Sequence, residues 1–171
     1  MSHPLKVGWL SPEAANKHLY VGYGDDETAA IGIVDTTSNK RLDEEYKTRR
    51  APQSLFQLEA SGPNIFVNLP DLKPSAVINR KRRAITRWTL TLDANFPMAL
   101  GEADHRLFIA SRVPAGMAMF DTESGHNLAT LPCGQDSDDL YYDQTRRRVY
   151  VTVARDRLTS LSRMTPITTD F

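Results

Sequence analysis

The sequence predicts an all-β protein built from repeated antiparallel units of four short strands, and three observations lead to this prediction. An aliphatic–aromatic–aliphatic triplet recurs at intervals of 46, 42 and 42 residues. A second apolar segment that ends in Asp or Asn follows the first three triplets at a nearly constant distance. Turn-forming residues separate the segments. A period of about 40–50 residues made of short strands is typical of a β-propeller blade. The triplets are Leu19–Val21, Ile65–Val67, Leu107–Ile109 and Val149–Val151.

The remaining strands of each repeat follow from this spacing. The second strand ends 12 residues after the triplet at Asn79 and Asp121, and 14 residues after it at Asp35. We therefore expect a two-residue insertion in Gly24–Glu27 of the first repeat. Four strands of about six residues, joined by turns of about four, fill roughly 40 residues without a helix. The third strands are predicted at Leu42–Lys47, Ile85–Leu90 and Leu128–Leu131, and the fourth at Leu55–Leu58, Phe96–Leu100 and Leu140–Tyr142.

The turn after the second strand has a recognisable chemistry. Asp35 and Asp121 begin this turn, and an Asp side chain there can accept hydrogen bonds from backbone N–H groups just ahead of it. Four residues on stand Asn39 and Gly125, which both tolerate a positive φ. This pattern predicts a type I turn followed by a left-handed residue. The second repeat has Arg83 at that position, so we expect either another geometry or backbone strain there.

Composition fits a β-protein without a membrane span. The 171 residues include 21 basic and 21 acidic side chains, and no apolar stretch approaches 18 residues. Cys133 is the only cysteine, so no internal disulfide can form. Two basic clusters, Arg80–Arg83 with Arg87 and Arg146–Arg148, lie at predicted turns. Because the net charge is zero, we interpret them as solvated turn charges and expect no nucleic-acid partner.

The length accommodates about four repeats, and neither end matches the pattern. The chain opens around Val7–Leu10 in what corresponds to the last strand of a repeat. After Val149–Val151 the expected aliphatic pair and Asp near position 163 are missing. We therefore predict an incomplete propeller domain over residues 1–153, followed by a divergent tail over 154–171. The tail resembles a truncated or frame-shifted segment, and a natural terminus is the alternative. An incomplete ring exposes apolar blade faces, which favour self-association or a protein partner.

The repeats resemble the YVTN-type β-propeller repeat of YncE-like proteins. The resemblance covers roughly residues 15 to 153 and implies about the C-terminal four blades of a seven-bladed ring. It also implies a periplasmic or secreted protein, although the first residues show no signal peptide. The stretches that carry it are His18–Gly24, Asp35–Lys40, Ile65–Asn68, His105–Ile109, Asp121–Gly125 and Asp138–Val151.

The strand before each triplet takes the position of the innermost strand of a propeller blade, which lines a central channel. Its ends supply the candidate site residues. Oxygen donors from different blades can converge at the channel mouth and bind a hard cation, so Asn95 and Asp138 are candidate ligands for Ca or Zn. The alternative is that these residues only begin strands and cap turns. No cofactor-binding motif is evident. The channel-mouth candidates are Ser54, Glu59, Asn95, Asp138 and Asp139.

Two functions remain open at this point. The favoured hypothesis is a non-catalytic scaffold that binds a protein or a small ligand at the channel rim. The second is a fragment of a metal-dependent lactonase with the architecture of gluconolactonase-like propellers, in which a divalent cation polarises the lactone carbonyl. Whether the chain is an enzyme is left open, and the absence of a catalytic motif favours the scaffold.

Overall fold

The structure is a computed structural model that describes residues 7–24, 29–48, 56–69, 74–90, 93–153 and 165–168. These residues form antiparallel β-strands in four sheets, and the one helical element among them is a 3-10 turn at Glu102–Asp104. The predicted all-β class is therefore confirmed. Within the same ranges, no helix is long and apolar enough to cross a membrane.

Each sheet is formed by strands that are consecutive in the chain. The first contains β1 (Val7–Glu13), β2 (His18–Tyr23), β3 (Ala30–Asp35) and β4 (Lys40–Lys47). The second contains β5 (Phe56–Leu58), β6 (Asn64–Asn68), β7 (Pro74–Asn79) and β8 (Ala84–Thr89). The third contains β9 (Asp93–Gly101), β10 (Arg106–Val113), β11 (Ala115–Asp121) and β12 (Asn127–Leu131). The fourth contains β13 (Ser137–Asp143), β14 (Arg148–Val153) and β15 (Thr165–Thr168).

The sequence repeat and the sheet have the same length but different boundaries. Every triplet lies in the second strand of its sheet, and the strand that precedes the triplet is the first strand of the same sheet. The segment around Val7–Leu10 therefore begins a complete four-stranded sheet and does not end an earlier one. The prediction that β3, β7 and β11 end at Asp35, Asn79 and Asp121 is confirmed.

The described part of the tail adds a strand to the fourth sheet. Thr165–Thr168 pairs with β14 in antiparallel register, with Ile167 opposite Val149. This is the place that β3, β7 and β11 take in the other sheets. Two predicted features lie outside the described residues. One is the strand end near position 163, and the other is the insertion at 25–27. The division of the chain at residue 153 stays a prediction.

The turns after β3, β7 and β11 share one geometry. The Asp35 carboxylate accepts hydrogen bonds from the backbone N–H groups of Thr37 and Ser38, and Asp121 does the same for Glu123 and Ser124. Such bonds to the ionised form lower the pKa of both carboxyl groups.

The Arg83 turn follows the same pattern. Arg83 has a φ of 53°, close to the 55° of Asn39 and within the left-handed region that Gly125 also occupies at 75°. Of the two expectations for this turn, the structure therefore favours backbone strain over a different geometry, because a side chain other than Asn or Gly is unfavourable at this φ.

The chain divides into two compact units. The first comprises Met1–Leu69 and Pro74–Trp88, and it holds the first two sheets up to Trp88. The second comprises Pro70–Lys73 and Thr89–Phe171, and it holds the third and fourth sheets. Alternate residues along a strand point to opposite faces, so one apolar face of each sheet packs against its neighbour within the unit. The first core includes Tyr20, Ile31, Ile33, Tyr46, Phe56, Ile65, Val67 and Ile78. The second includes Ala99, Phe108, Met117, Met119, Leu140, Tyr142, Val149 and Val151.

Candidate functional site

Within each unit the first strands of the two sheets contact each other. In the first unit β1 contacts β5, and in the second β9 contacts β13. These are the strands that the sequence places innermost. The entry of β13 in the second unit therefore lies beside a neighbouring sheet, where side chains from both sheets can meet.

An arginine of the third sheet reaches the entry of β13 in the fourth. The Arg112 guanidinium pairs with Asp138 through Nη2, at 2.8 Å from Oδ1, and with Asp136 through Nε, at 3.3 Å from Oδ1. Nε also donates a hydrogen bond to the carbonyl oxygen of Ser137 at 3.2 Å. We call these four residues, Arg112 and Asp136 to Asp138, the rim cluster. It results from a left-handed residue at Asp136, with φ 58°, followed by a register shift between Ser137 and Asp139.

The rim cluster is largely open to solvent. The side chains of Arg112, Asp136 and Asp138 are 35%, 56% and 51% exposed. Two carboxylates face one guanidinium, and Asp139, the next residue in the chain, is also exposed. By contrast, the Ser137 side chain is fully buried, and its hydroxyl has no hydrogen-bond partner in the described part of the chain. The cluster therefore presents a locally acidic surface with one shared cation.

The structure places the other sequence-predicted residues in different surroundings. Ser54 and the side chain of Asn95 lie outside the described residues. The backbone of Asn95, in β9, pairs with that of Ser111 in β10. Glu59 follows β5 and is buried. Its carboxylate accepts hydrogen bonds from the backbone N–H of Asn64 at 2.9 Å and from its Nδ2 at 3.2 Å. Glu59 thus caps the turn between β5 and β6, which matches the structural alternative given above.

The geometry around Asp138 is unfavourable for a cation. The positive Arg112 guanidinium lies 2.8 Å from Oδ1 of Asp138 and would repel a metal ion bound to the same carboxylate. The Asp139 carboxylate accepts a hydrogen bond from the backbone N–H of Leu140 at 2.8 Å. The described ranges contain no group of three or more His, Cys, Asp or Glu side chains that could hold a metal ion. The metal assignment of Asn95 and Asp138 stays a prediction.

A second interaction between sheets, which the sequence pattern does not predict, lies in the first unit. Arg80, only 11% exposed at its side chain, forms an ion pair with Glu13, whose side chain is 5% exposed. Its Nη2 donates to the carbonyl oxygen of Glu59 at 2.9 Å and its Nε to that of Pro63 at 3.2 Å, and it also hydrogen-bonds the Gly62 carbonyl. The interpretation of Arg80 as a solvated turn charge is therefore wrong.

Burial and pairing act in opposite directions on the Glu13–Arg80 pair. Burial opposes ionisation of Glu13, but hydrogen bonds from Asn16 and Arg80 and the positive charges of Arg80 and His18 outweigh it, so the pKa of Glu13 is lowered. Burial raises the pKa of the neighbouring Tyr20, which keeps its hydroxyl protonated. The group is thus a structural crosslink held in its charged form.

One sequence signal does mark Arg80 as unusual. The backbone N–H of Thr36, Arg80 and Thr122 makes the same kind of hydrogen bond to a carbonyl in the preceding turn. Two of these equivalent positions hold a threonine and the third an arginine. Arg80 is thus a long cationic side chain at a position where the other two repeats have a short polar one. This difference indicates that Arg80 makes a contact that the threonines do not.

Comparison with solved structures identifies the fold. The chain is similar to a structure of U3-55K, with a TM-score of 0.75 over 91% of this chain at 14% identity. It is similar to the WD40 repeats of RRP9, with a TM-score of 0.73 over 89% of this chain at 14% identity. A third similar structure is the hydrazine synthase of Kuenenia stuttgartiensis, with a TM-score of 0.71 over 84% of this chain at 10% identity. No protein-family model and no curated protein matches the sequence.

These similarities confirm a β-propeller fold of four antiparallel sheets in this chain. The chain spans about half the length of the similar structures, namely 48%, 41% and 46% of the three. One of the three is an enzyme by its name, so the shared fold does not by itself separate a scaffold from a catalyst.

Proposed function

We propose that this chain is a non-catalytic β-propeller scaffold that binds a protein partner at the rim cluster. The observation that carries the proposal is an exposed ion-pair network between two sheets, at the end of a strand that also exposes an apolar residue. Val113, 60% exposed, directly follows Arg112 at the end of β10. Apolar contact area bordered by charges is the usual composition of a protein-binding surface.

The charge of the cluster indicates the kind of surface it would meet. Asp136 and Asp138 carry two carboxylates against the single guanidinium of Arg112, and the exposed Asp139 follows them in the chain. Because complementary potentials steer and orient protein partners, we expect a partner with a basic surface. The similarity to WD40-type structures supports the fold on which this proposal rests and is compatible with a scaffold role.

We further propose that the repeats are of the YVTN type. Two features support this assignment: the regular place of the triplets in β2, β6, β10 and β14, and the shared turn that begins at Asp35, Asn79 and Asp121. If it is right, a periplasmic or secreted location follows as an expectation.

Site-specific photo-crosslinking tests the rim proposal. A photoreactive phenylalanine analogue replaces Val113 in one variant and Leu128 in a control, because Leu128 is also exposed but lies on β12. In lysate of the source cells, we expect a discrete protein adduct from position 113 alone. The adduct should disappear when Arg112→Ala and Asp138→Asn are added. Equal adducts from both positions, or none from position 113, would contradict the proposal.

A metal titration separates the scaffold from the metal-dependent lactonase. Calorimetry with Ca²⁺ and with Zn²⁺ should give no saturable binding that depends on Asp138. Saturable binding that is lost in Asp138→Asn, together with hydrolysis of a lactone, would instead assign the chain to the metal-dependent hydrolases.

A further inference from the structure

A cleft of about 180 Å³ opens at the outer strands of the first unit, away from the strands that carry the predicted channel mouth. Leu69, Ala76 and Ile78 line it and are buried, while Ile85 at its edge is 45% exposed. Ligand sites for small molecules and cofactors usually measure about 300–1,000 Å³. The size of this cleft therefore suits a single side chain better than a whole small molecule.

The strand beside the cleft is an edge strand. β8 is last in the order of the second sheet, so one of its edges has no strand partner among the described residues. Ile85 and Arg87 alternate along β8 and both line the cleft, so they lie on one face of the sheet. An extended segment that paired with β8 would direct every second side chain toward the same face.

The charges around the cleft are positive. Lys47 and Arg87 belong to its lining, and none of the described lining residues carries a carboxylate. Arg87 forms no ion pair in the described part of the chain, and Lys47 has a single distant partner, Glu45 at 3.9 Å. The turn before β8 adds the exposed side chains of Lys81 and Arg82. An apolar floor beneath such cations complements an aliphatic side chain flanked by carboxylates.

The nearby carboxylates are already engaged by other groups. Glu44 pairs with Arg83 at 3.0 Å and accepts a hydrogen bond from Tyr46. Glu45 pairs with Arg41 at 2.7 Å. Cations on an edge strand commonly serve to prevent aggregation. That role does not require an open apolar cleft beneath them, and this chain has both.

We propose that the cleft and the free edge of β8 bind an extended acidic peptide segment of a partner protein. The segment adds a strand to the second sheet, places one aliphatic side chain over Ile78 and Ile85, and pairs its carboxylates with Arg87 and Lys47. This site lies in the first unit and does not depend on the rim cluster, which lies in the second.

Fluorescence anisotropy with a labelled synthetic peptide tests the proposal on the full chain. The probe is a short peptide of threonine and valine with a central leucine flanked by glutamates. Two matched probes replace the leucine by serine or the glutamates by lysines. We expect saturable binding of the first probe alone. Equal binding of the three probes, or no saturable binding, would overturn the proposal.

Matched variants locate the binding. Ile85→Ser and Arg87→Glu should each weaken binding at least tenfold, the factor that about 1.4 kcal/mol corresponds to. Leu128→Ser is the control for the first variant, because Leu128 is 46% exposed and, like Ile85, second in its outer strand. Arg148→Glu, at another exposed arginine, is the control for the second. Equal losses in the controls would refute the assignment.

A second measurement keeps the test independent of the variants. In the unsubstituted chain, the first probe should slow amide hydrogen exchange in β8 and leave β12 unchanged. Sedimentation without peptide identifies the competing occupant. Self-association that Ile85→Ser abolishes would assign the cleft to a second copy of the chain and overturn the peptide proposal. Arg112→Ala should leave peptide binding intact, which separates this result from the fate of the rim cluster.

Discussion

In each unit an arginine pairs with acidic side chains of the neighbouring sheet, and two of these arginines, Arg80 and Arg112, lie in opposite environments. In the first unit Arg80 pairs with Glu13, and both side chains are almost inaccessible to solvent. In the second, Arg112 pairs with Asp136 and Asp138, and all three side chains are substantially exposed. Similar chemistry thus serves two different purposes, because burial decides what an ion pair contributes.

The difference shows which charged groups remain available for a partner. Removing one member of a buried pair leaves an uncompensated charge in the interior, and this strongly destabilises the fold. An exposed pair contributes little to stability because solvent screens both charges. The Glu13–Arg80 pair is therefore a structural element, while the rim cluster can change its partners with little effect on folding.

The largest effect is expected from removing the buried arginine. Arg80→Met should lower the free energy of unfolding by about 3–5 kcal/mol, because Glu13 is left unpaired in the interior. Chemical denaturation measures this change. Arg82→Met is the control from the same turn, where the side chain is exposed, and should change stability by less than about 0.5 kcal/mol. A similar loss in both variants would show that burial is not the deciding factor.

The next effect concerns a glycine beneath an aromatic ring. A Cβ atom at Gly101 would lie 2.5 Å from Cε1 of Tyr142, which is buried against Phe108 and donates a hydrogen bond to Asp104 at 2.7 Å. Gly101→Ala should therefore destabilise the second unit by about 1–3 kcal/mol, the usual range for overpacking.

The first unit offers the matched control for this prediction. Gly32→Ala places a Cβ atom 2.9 Å from Cε1 of Tyr23, whose partly exposed ring can move outward. A smaller loss of stability is expected there by the same denaturation measurement. A loss at Gly32 that exceeds the loss at Gly101 would contradict this explanation.

A smaller effect is expected on the pH dependence of stability. The pKa of Glu13 is lower in the folded protein than in the unfolded chain, so its contribution is fully present above the ordinary glutamate value of about 4.3. The contribution is lost as the pH falls through the folded pKa. The unfolding temperature, measured between neutral and acidic pH, should show this loss. Glu13→Gln should make the unfolding temperature depend less steeply on pH in that window. An unchanged slope would show that Glu13 is not the responsible group.

The smallest effect is expected at the rim cluster. Arg112→Ala should lower the free energy of unfolding by no more than about 1 kcal/mol, because the pairs with Asp136 and Asp138 are exposed. Denaturation of this variant beside Arg80→Met completes the comparison between the two units. A loss as large as that of Arg80→Met would mean that the rim cluster is structural and would remove the main support for a binding role.

The strand pattern was predictable from sequence because its causes are local. Apolar alternation and the Asp35 and Asp121 turns each depend on residues close together in the chain, and the predicted strand ends agree with β3, β7 and β11. The partner of Arg80 was not predictable in this way. Glu13 lies 67 positions away and becomes its neighbour only when the two sheets pack.

The candidate site shows the same limit. Sequence reasoning placed Asp138 and Asp139 at the entry of an inner strand, and both lie there at the start of β13. It had no means of pairing Asp138 with Arg112, 26 positions earlier, since that contact depends on how β10 and β13 approach each other. It also grouped Glu59 with them, whereas its carboxylate caps a turn in the other unit.

The turn that contains Arg83 supplies a salt-sensitive ion pair between the two sheets of the first unit. The left-handed φ of Arg83 sets the direction of its Cα–Cβ bond, and its exposed side chain reaches Glu44 on the adjacent sheet at 3.0 Å. This contact is solvent-accessible, so dissolved ions weaken it. Concentrated salt should therefore weaken this pair between the first two sheets while leaving the buried Glu13–Arg80 pair largely unaffected.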